Sequence, residues 1–220
     1  MRWVRIEKLV SEMKVPQAYS LRSLRRSEIS SVIKRFLEWY PGVRLGSESR
    51  FVKKKYYTDH SFMVRGQEDR KYYPIVFTQK KDDGVIGLVV VKKDSYTRTV
   101  MGFTGALDPE HRGLGIAHGG PMVVEALGRK MGAEFAYFYA SLQIPHTQRA
   151  AEKMGFSIAG ILPHDLDVDR SGKIKRVYEA LYAKLLVSKS SLIEPNESAM
   201  TERTKLIWSA LKKSGRSSST

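Results

Sequence analysis

The chain has 220 residues, with 38 lysines and arginines against 23 aspartates and glutamates, and no cysteine. Its length suits one domain that buries roughly two-thirds of the surface of its unfolded chain without crosslinks. The lack of cysteine excludes disulfides, thiolate metal ligands and cysteine nucleophiles together. Residues 1–15 carry charges throughout and offer no signal-peptide core. No apolar run approaches the ~20 residues that span a bilayer, so a soluble cytoplasmic protein without a membrane partner is expected. The net charge of +15 is uneven: residues 1–80 hold +10, residues 81–185 hold +2 and residues 186–220 hold +3. That asymmetry fits an acidic or RNA-linked partner, an anionic substrate or cofactor phosphates, and fits a solvated basic face equally well.

Trp3, Ile6, Val10 and Met13 fall at helical spacing and predict an amphipathic N-terminal helix. Residues 19–24 read as a short strand. Ser27 then reads as an N-cap, and Ile29, Val32, Ile33, Phe36 and Leu37 form one apolar helix face that Pro41-Gly42 ends. A second helix is predicted over residues 48–58. Strands follow at 73–78, 84–92 and 97–107, the first two joined by a turn at Lys81-Asp82-Asp83-Gly84. A helix to about residue 131, a strand at 135–142, a helix ending at Met154-Gly155 and strands at 156–162 and 174–185 complete the pattern. The expected class is α/β, with a mixed, mostly antiparallel central sheet flanked by helices. Residues 1–18 form an N-terminal extension, 19–186 the domain, and 187–220 a linker, a short helix and a disordered tail.

The stretch from 108 to 117 reads Asp-Pro-Glu-His-Arg-Gly-Leu-Gly-Ile-Ala, between a strand and a helix. A loop with Gly113 and Gly115 lets backbone N–H groups converge on an anion, because glycine has no Cβ in the way. The helix start adds unpaired N–H donors and a positive dipole end, and Arg112 adds a fixed charge. Together these describe a pyrophosphate cradle.

Arg112-x-x-Gly115-x-Ala117 resembles the signature of the GCN5-related N-acetyltransferase family, with Asp108-Pro109-Glu110-His111 as its usual lead-in. Downstream, Glu152-Lys153-Met154-Gly155-Phe156 resembles the segment that closes the family's second cofactor helix. The resemblance spans about residues 84–185 and implies the acyl-CoA N-acyltransferase fold and acetyl-CoA as cosubstrate. It implies that the backbone amides of Gly113, Leu114, Gly115, Ile116 and Ala117 hold the pyrophosphate, with Arg112 adding its charge to the cofactor site. It implies further that the strand end from Thr104 to Leu107 pairs with the pantetheine arm, with an oxyanion donor near Leu107. Splay from the strand at 135–142 would open the slot where thioester and amine meet.

Two positions depart from the family pattern. His118-Gly119-Gly120-Pro121 interrupts the cradle helix, so that helix either kinks or begins at Pro121. The family's frequent general-acid tyrosine and asparagine fall on Ala151 and Ile144. Tyr137, Tyr139, Ser141 and His146 are the substitutes in reach. No acid lies in residues 97–107 to serve as base, which leaves Glu179 as the candidate. The catalytic set expected is therefore Tyr139, Ser141 and Glu179. Asp165-x-Asp167-x-Asp169 lacks the glycine and the closing glutamate of a calcium loop and reads as a turn, and no metal is expected.

The function expected is transfer of an acetyl group from acetyl-CoA to a primary amine of a small molecule or amino-acid-like metabolite. The alternatives are an acceptor on a protein or aminoacyl-tRNA, and a CoA-binding module without catalysis. A homodimer is admitted as a partner. Lys53-Lys54-Lys55-Tyr56-Tyr57 and Arg70-Lys71-Tyr72-Tyr73 pair charge with aromatic rings, as phosphate and base contacts do, and also as surface lysines beside half-buried tyrosines do.

Overall fold

A computed structural model describes residues 1–116 and 119–214. Strands β1 (Tyr19–Ser23), β2 (Tyr72–Gln79), β3 (Val85–Asp94), β4 (Thr99–Leu107), β5 (Phe135–Ser141), β6 (Ser157–Val168) and β7 (Ile174–Leu185) form one sheet in the order β1-β2-β3-β4-β5-β7-β6. Every adjacent pair is antiparallel except β4 and β5. That parallel pair requires a crossover, which α3 (Gly119–Met131) supplies. The helices α1 (Ile29–Trp39), α2 (Lys54–His60), α4 (His146–Lys153) and α5 (Glu202–Ser214) complete the described elements. The mixed, mostly antiparallel α/β sheet is the class that the sequence pattern predicts.

The sheet separates two cores. One gathers Trp3, Ile6, Leu9, Phe77, Val123, Leu127, Phe138, Phe156 and Tyr182. The other gathers Leu24, Ile29, Val32, Phe36, Phe51, Tyr57, Tyr72, Val76 and Leu88. β2 and β3 are buried almost throughout, so they read as continuous apolar runs rather than alternating ones.

Several local expectations are corrected. The N-terminal segment is two 3-10 turns, Ile6–Lys8 and Val10–Glu12, and no α-helix: Trp3, Ile6 and Leu9 anchor it against the sheet, and tertiary packing overrides the helical spacing. Ser27 does not cap α1. A 3-10 turn, Arg26–Glu28, precedes the helix, and the Glu28 carboxylate accepts the Arg25 N–H at 3.1 Å. The helix predicted over 48–58 is a 3-10 turn, Ser47–Val52, followed by α2. Asp165 and Asp167 lie within β6, which runs well beyond residue 162, and only Asp169 makes the turn, accepting from Ser171 and Lys173.

Arg22 ties β1 to the start of α1 and to the β2–β3 turn. Its guanidinium donates to both Glu28 oxygens at 2.8 and 2.7 Å and to Asp83 Oδ1 at 2.9 Å. Despite burial, the Arg22 hydrogen bonds hold the Glu28 carboxyl below its usual range, and Arg22 does the same for Asp83. Stabilisation from lowered carboxylates is present above their unfolded values and is lost as pH falls through the folded ones. Arg22→Ala is therefore expected to cost about 2 kcal/mol at neutral pH. Denaturant melts should show the gap to wild type closing as pH drops below the ordinary carboxylate range.

Candidate active site

The loop after β4 is braced before any ligand arrives. The Asp108 N–H donates to Ile86 O at 2.8 Å, and Asp108 Oδ1 accepts the Glu110 N–H at 3.1 Å. The His111 ring is held by the Tyr19 hydroxyl at 3.2 Å and the Gln79 amide at 3.3 Å. Gly113 and Gly115 both adopt left-handed backbone, at φ +81 and +79, which side-chain-bearing residues resist. A Cβ at Gly113 would meet nothing within 4 Å among the described residues, which leave an open approach to the loop's amides. Leu114 is exposed at the rim and Ile116 is buried beneath it. Ala117, assigned to the cradle by resemblance, lies outside the described residues, as does His118.

Arg112 serves the loop itself. Its Nε donates to Leu107 O and its Nη2 to Trp39 O, each at 3.1 Å, so the side chain pins the cradle to the end of α1. Beside it lies a cleft of about 390 Å³ lined by Ser31, Lys34, Arg35, Glu38, Trp39 and Asp108. The Gly-Gly-Pro departure is absorbed simply. α3 starts at Gly119, which puts Pro121 in its first turn, where a backbone N–H has no intrahelical partner to lose.

The slot arises where β4 and β5 part. Their parallel pairing runs from Thr99↔Phe135 to Gly102↔Phe138 and stops. On β4's other edge the register slips at this point, with Gly102 opposite Val91 and Thr104 opposite Val90, leaving Phe103 as a bulge. A bulge bends its strand. β4 turns away while β5 stays paired with β7 as far as Ser141↔Glu179. Thr104 to Leu107 thus present an unpaired edge on one side of a wedge, with Tyr139 and Ser141 on the other.

The three predicted catalytic residues gather on that second side. Glu179 stands opposite Ser141 in register, and its Oε2 lies 2.8 Å from His164 Nδ1. The His164 ring stacks on Tyr139 with centroids 3.7 Å apart and planes 8° from parallel. Ser141 Oγ accepts the Gln143 N–H at 3.1 Å and shapes the loop that follows. Burial raises the Glu179 pKa against the lowering effect of His164. Ala151, at the position of the family's tyrosine, is fully buried in the core, and Ile144 is exposed.

Sequence reasoning missed the acid facing them. Glu48, in the Ser47–Val52 turn, lies beside Tyr40 and Thr104 and feels Asp165 and Glu179. Its Oε2 and the Thr104 Oγ1 are closed off from solvent and lack a hydrogen bond of ordinary geometry, though the Thr104 and Tyr40 hydroxyls lie close enough to temper the rise in the Glu48 pKa. Burial, and then the Asp165 and Glu179 charges, push the Glu48 carboxyl up to about 8. Burial beside the same acids raises the Tyr40 hydroxyl too. Gly46, at φ +63, brings the turn so close to Asp165 that a Cβ there would collide with the Asp165 carboxylate. The sequence signal was that glycine before a lone acid, which residue periodicity does not reveal.

The same architecture occurs in solved N-acetyltransferases. The chain is similar to a spermidine N-acetyltransferase from Vibrio cholerae crystallised with CoA and spermine, at 16% identity and a TM-score of 0.60, covering 78% of this chain and 97% of that one. A dodecameric form of the Vibrio cholerae enzyme matches at 18% identity and 0.59, over 78% and 95% of the two chains. The ribosomal-protein-S5-alanine acetyltransferase from Vibrio fischeri matches at 12% identity and 0.59, over 78% and 94%. No protein-family model and no curated protein sequence matches the chain. The chain therefore has the fold of these N-acetyltransferases, in a sequence far from theirs. No described helix is long and apolar enough to cross a membrane, and the described residues contain no cluster of metal-ligating side chains.

Proposed function

We propose that the protein is an acetyl-CoA-dependent N-acetyltransferase whose acceptor is the primary amine of a small molecule. The observation that carries this reading is the left-handed pair Gly113 and Gly115 opening beside the wedge between β4 and β5. Amides of that loop and of the α3 start would hold the pyrophosphate of CoA, and the free edge from Thr104 to Leu107 would pair with the pantetheine arm. The acetyl group then lies at the mouth of the wedge, within reach of the acids lining it. The amine attacks the thioester carbon directly, forming the C–N bond as the C–S bond breaks. Holding the two in line supplies several kcal/mol of the barrier. The solved structures of like fold cited above are named for acetyl transfer to spermidine and to a ribosomal protein.

Calorimetric titration with acetyl-CoA tests the reading. Wild type should bind, and Gly115→Val should bind at least tenfold more weakly, because a side chain at φ +79 both strains the loop and crowds the amides. Among the described residues a Cβ at 115 meets only Pro16 Cγ at 3.8 Å, so the variant should keep its fold and the loss should report on the site. Absence of binding by wild type would reject the reading.

A second reading, an acceptor amine on a protein or on aminoacyl-tRNA, draws on the exposed Lys53, Lys54 and Lys55, directly after the turn that holds Glu48. Electrostatic capture of such a partner requires activity that falls steeply with added salt. Activity on a macromolecular acceptor that is flat with salt would remove the basis for it.

A further inference from the structure

The site contains more acid than a thioester needs. Glu48 feels both Asp165 and Glu179, and Glu179 feels Asp165, the three arriving from the Ser47–Val52 turn, β6 and β7. Among the described residues, Glu48 and Asp165 have no ion-pair partner, and Glu179 has only His164. The groups acting most strongly on Glu48 are Asp165, Glu179, Tyr40 and Thr104, none of them cationic. A carboxylate oxygen shut away from water with no hydrogen bond is a costly arrangement. Thr104 Oγ1, on the free edge of β4, is orphaned at the same spot. The Glu48 and Thr104 oxygens lie together beside further acid, an arrangement that a donor-rich cation would satisfy.

Accepting the acetyltransferase reading above, we propose that Glu48, Asp165 and Glu179 form the acceptor pocket, that this pocket selects amines with no anionic group near the nitrogen, and that Glu48 takes the ammonium proton. The acceptor arrives as R–NH3+ and gives one proton to Glu48 in its deprotonated form, which gains ground as pH rises, and Glu48 later passes that proton to water. The freed lone pair forms the new C–N bond to the acetyl carbon. The electron pair of the C–S bond leaves with sulfur, and a second nitrogen proton ends on that thiolate. The products are the amide, CoA thiol and one solvent proton. A base whose affinity for protons lies between that of an ordinary carboxylate and that of an amine suits this transfer. Asp165 and Glu179, joined by Glu48 whenever it is deprotonated, also repel a substrate that carries its own carboxylate, so an α-amino acid is disfavoured against the same amine without it.

The test compares lysine with 1,5-diaminopentane, the same chain without the carboxylate, in wild type, Glu48→Gln and Asp165→Asn. Wild type should use the diamine with at least tenfold higher kcat/KM than lysine, and Asp165→Asn should narrow that ratio. Glu48→Gln should lower kcat about 100-fold or more and move the pH optimum upward, since only amine already deprotonated in solution would react. Binding of acetyl-CoA should be unchanged in both variants. Intact acetyl-CoA binding with full Glu48→Gln activity, or equal use of lysine, would overturn this proposal and leave the acetyltransferase reading standing. Calorimetry of 1,5-diaminopentane with CoA-saturated protein reads the pocket without turnover. Binding that weakens at least tenfold in Asp165→Asn supports the pocket, and no binding to wild type rejects it.

Discussion

Replacing Phe51 by alanine should lower stability by about 3–5 kcal/mol, the usual cost of emptying a core site of an aromatic ring. Phe51 is fully buried, and its ring meets Tyr56, Tyr57, Tyr72 and Phe103 at centroid distances of 5.1, 5.2, 5.3 and 5.8 Å. Phe103 is the bulge residue of β4, so this cluster ties the Ser47–Val52 turn to the strand bend that opens the wedge. Loosening it should displace Glu48 and cut turnover. The cradle belongs to the opposite core, with Ile116 among its residues, so acetyl-CoA binding should survive. Denaturant melts and calorimetry on Phe51→Ala and Phe51→Leu check both halves, with leucine restoring most of the stability. A loss under about 1 kcal/mol would show that the site can collapse, and would remove Phe51 from this role.

Glu48→Gln should make the protein more stable at alkaline pH while impairing its chemistry. The Glu48 pKa is raised from about 4.5 to about 8 by burial and neighbouring acid. Between those values the folded state holds a proton that the unfolded state has released. Stability therefore falls as pH rises through that window, and the full penalty applies above it. A neutral amide of the same shape escapes the penalty. The variant should gain roughly 1–3 kcal/mol above pH 8, at about 2–4 °C of melting temperature per kcal/mol, and little or nothing near pH 4. Melting curves across pH check this. A variant equally stable or weaker at all pH values would mean that Glu48 is solvated as an ordinary carboxylate. Sites that hold an uncompensated charge for catalysis commonly carry such a stability cost.

What was legible in the sequence was what repeats or sits in fixed order. Val85–Asp94 announces itself through a β-branched run, and Ile174–Leu185 through the Ser171-Gly172 turn that precedes it. The spacing of Gly113 and Gly115 shows through because the left-handed backbone they adopt after β4 favours glycine at set positions. Glu179, Tyr139 and Ser141 were nominated one by one, and the β5–β7 register brings them to one edge of the wedge. Glu48 and Asp165 were not legible. Glu48 sits in a 3-10 turn with no apolar period of its own, and its burial comes from packing by distant elements. Asp165 looked like part of a turn, because the Asp-x-Asp-x-Asp spacing hides a strand that continues on its pairing with β7. The N-terminal segment misled for the opposite reason: apolar residues at helical spacing also suit consecutive 3-10 turns docked on a sheet.

The most direct test of the central claim is amine-dependent release of CoA thiol from acetyl-CoA, with the product identified by mass spectrometry. The account predicts mono-acetylated 1,5-diaminopentane formed in step with thiol, abolished by Gly115→Val at low acetyl-CoA and strongly reduced by Glu48→Gln. Acetyl-CoA that binds tightly, yet releases no more thiol with amines than without them, would contradict it and make the protein a CoA-binding module rather than an enzyme.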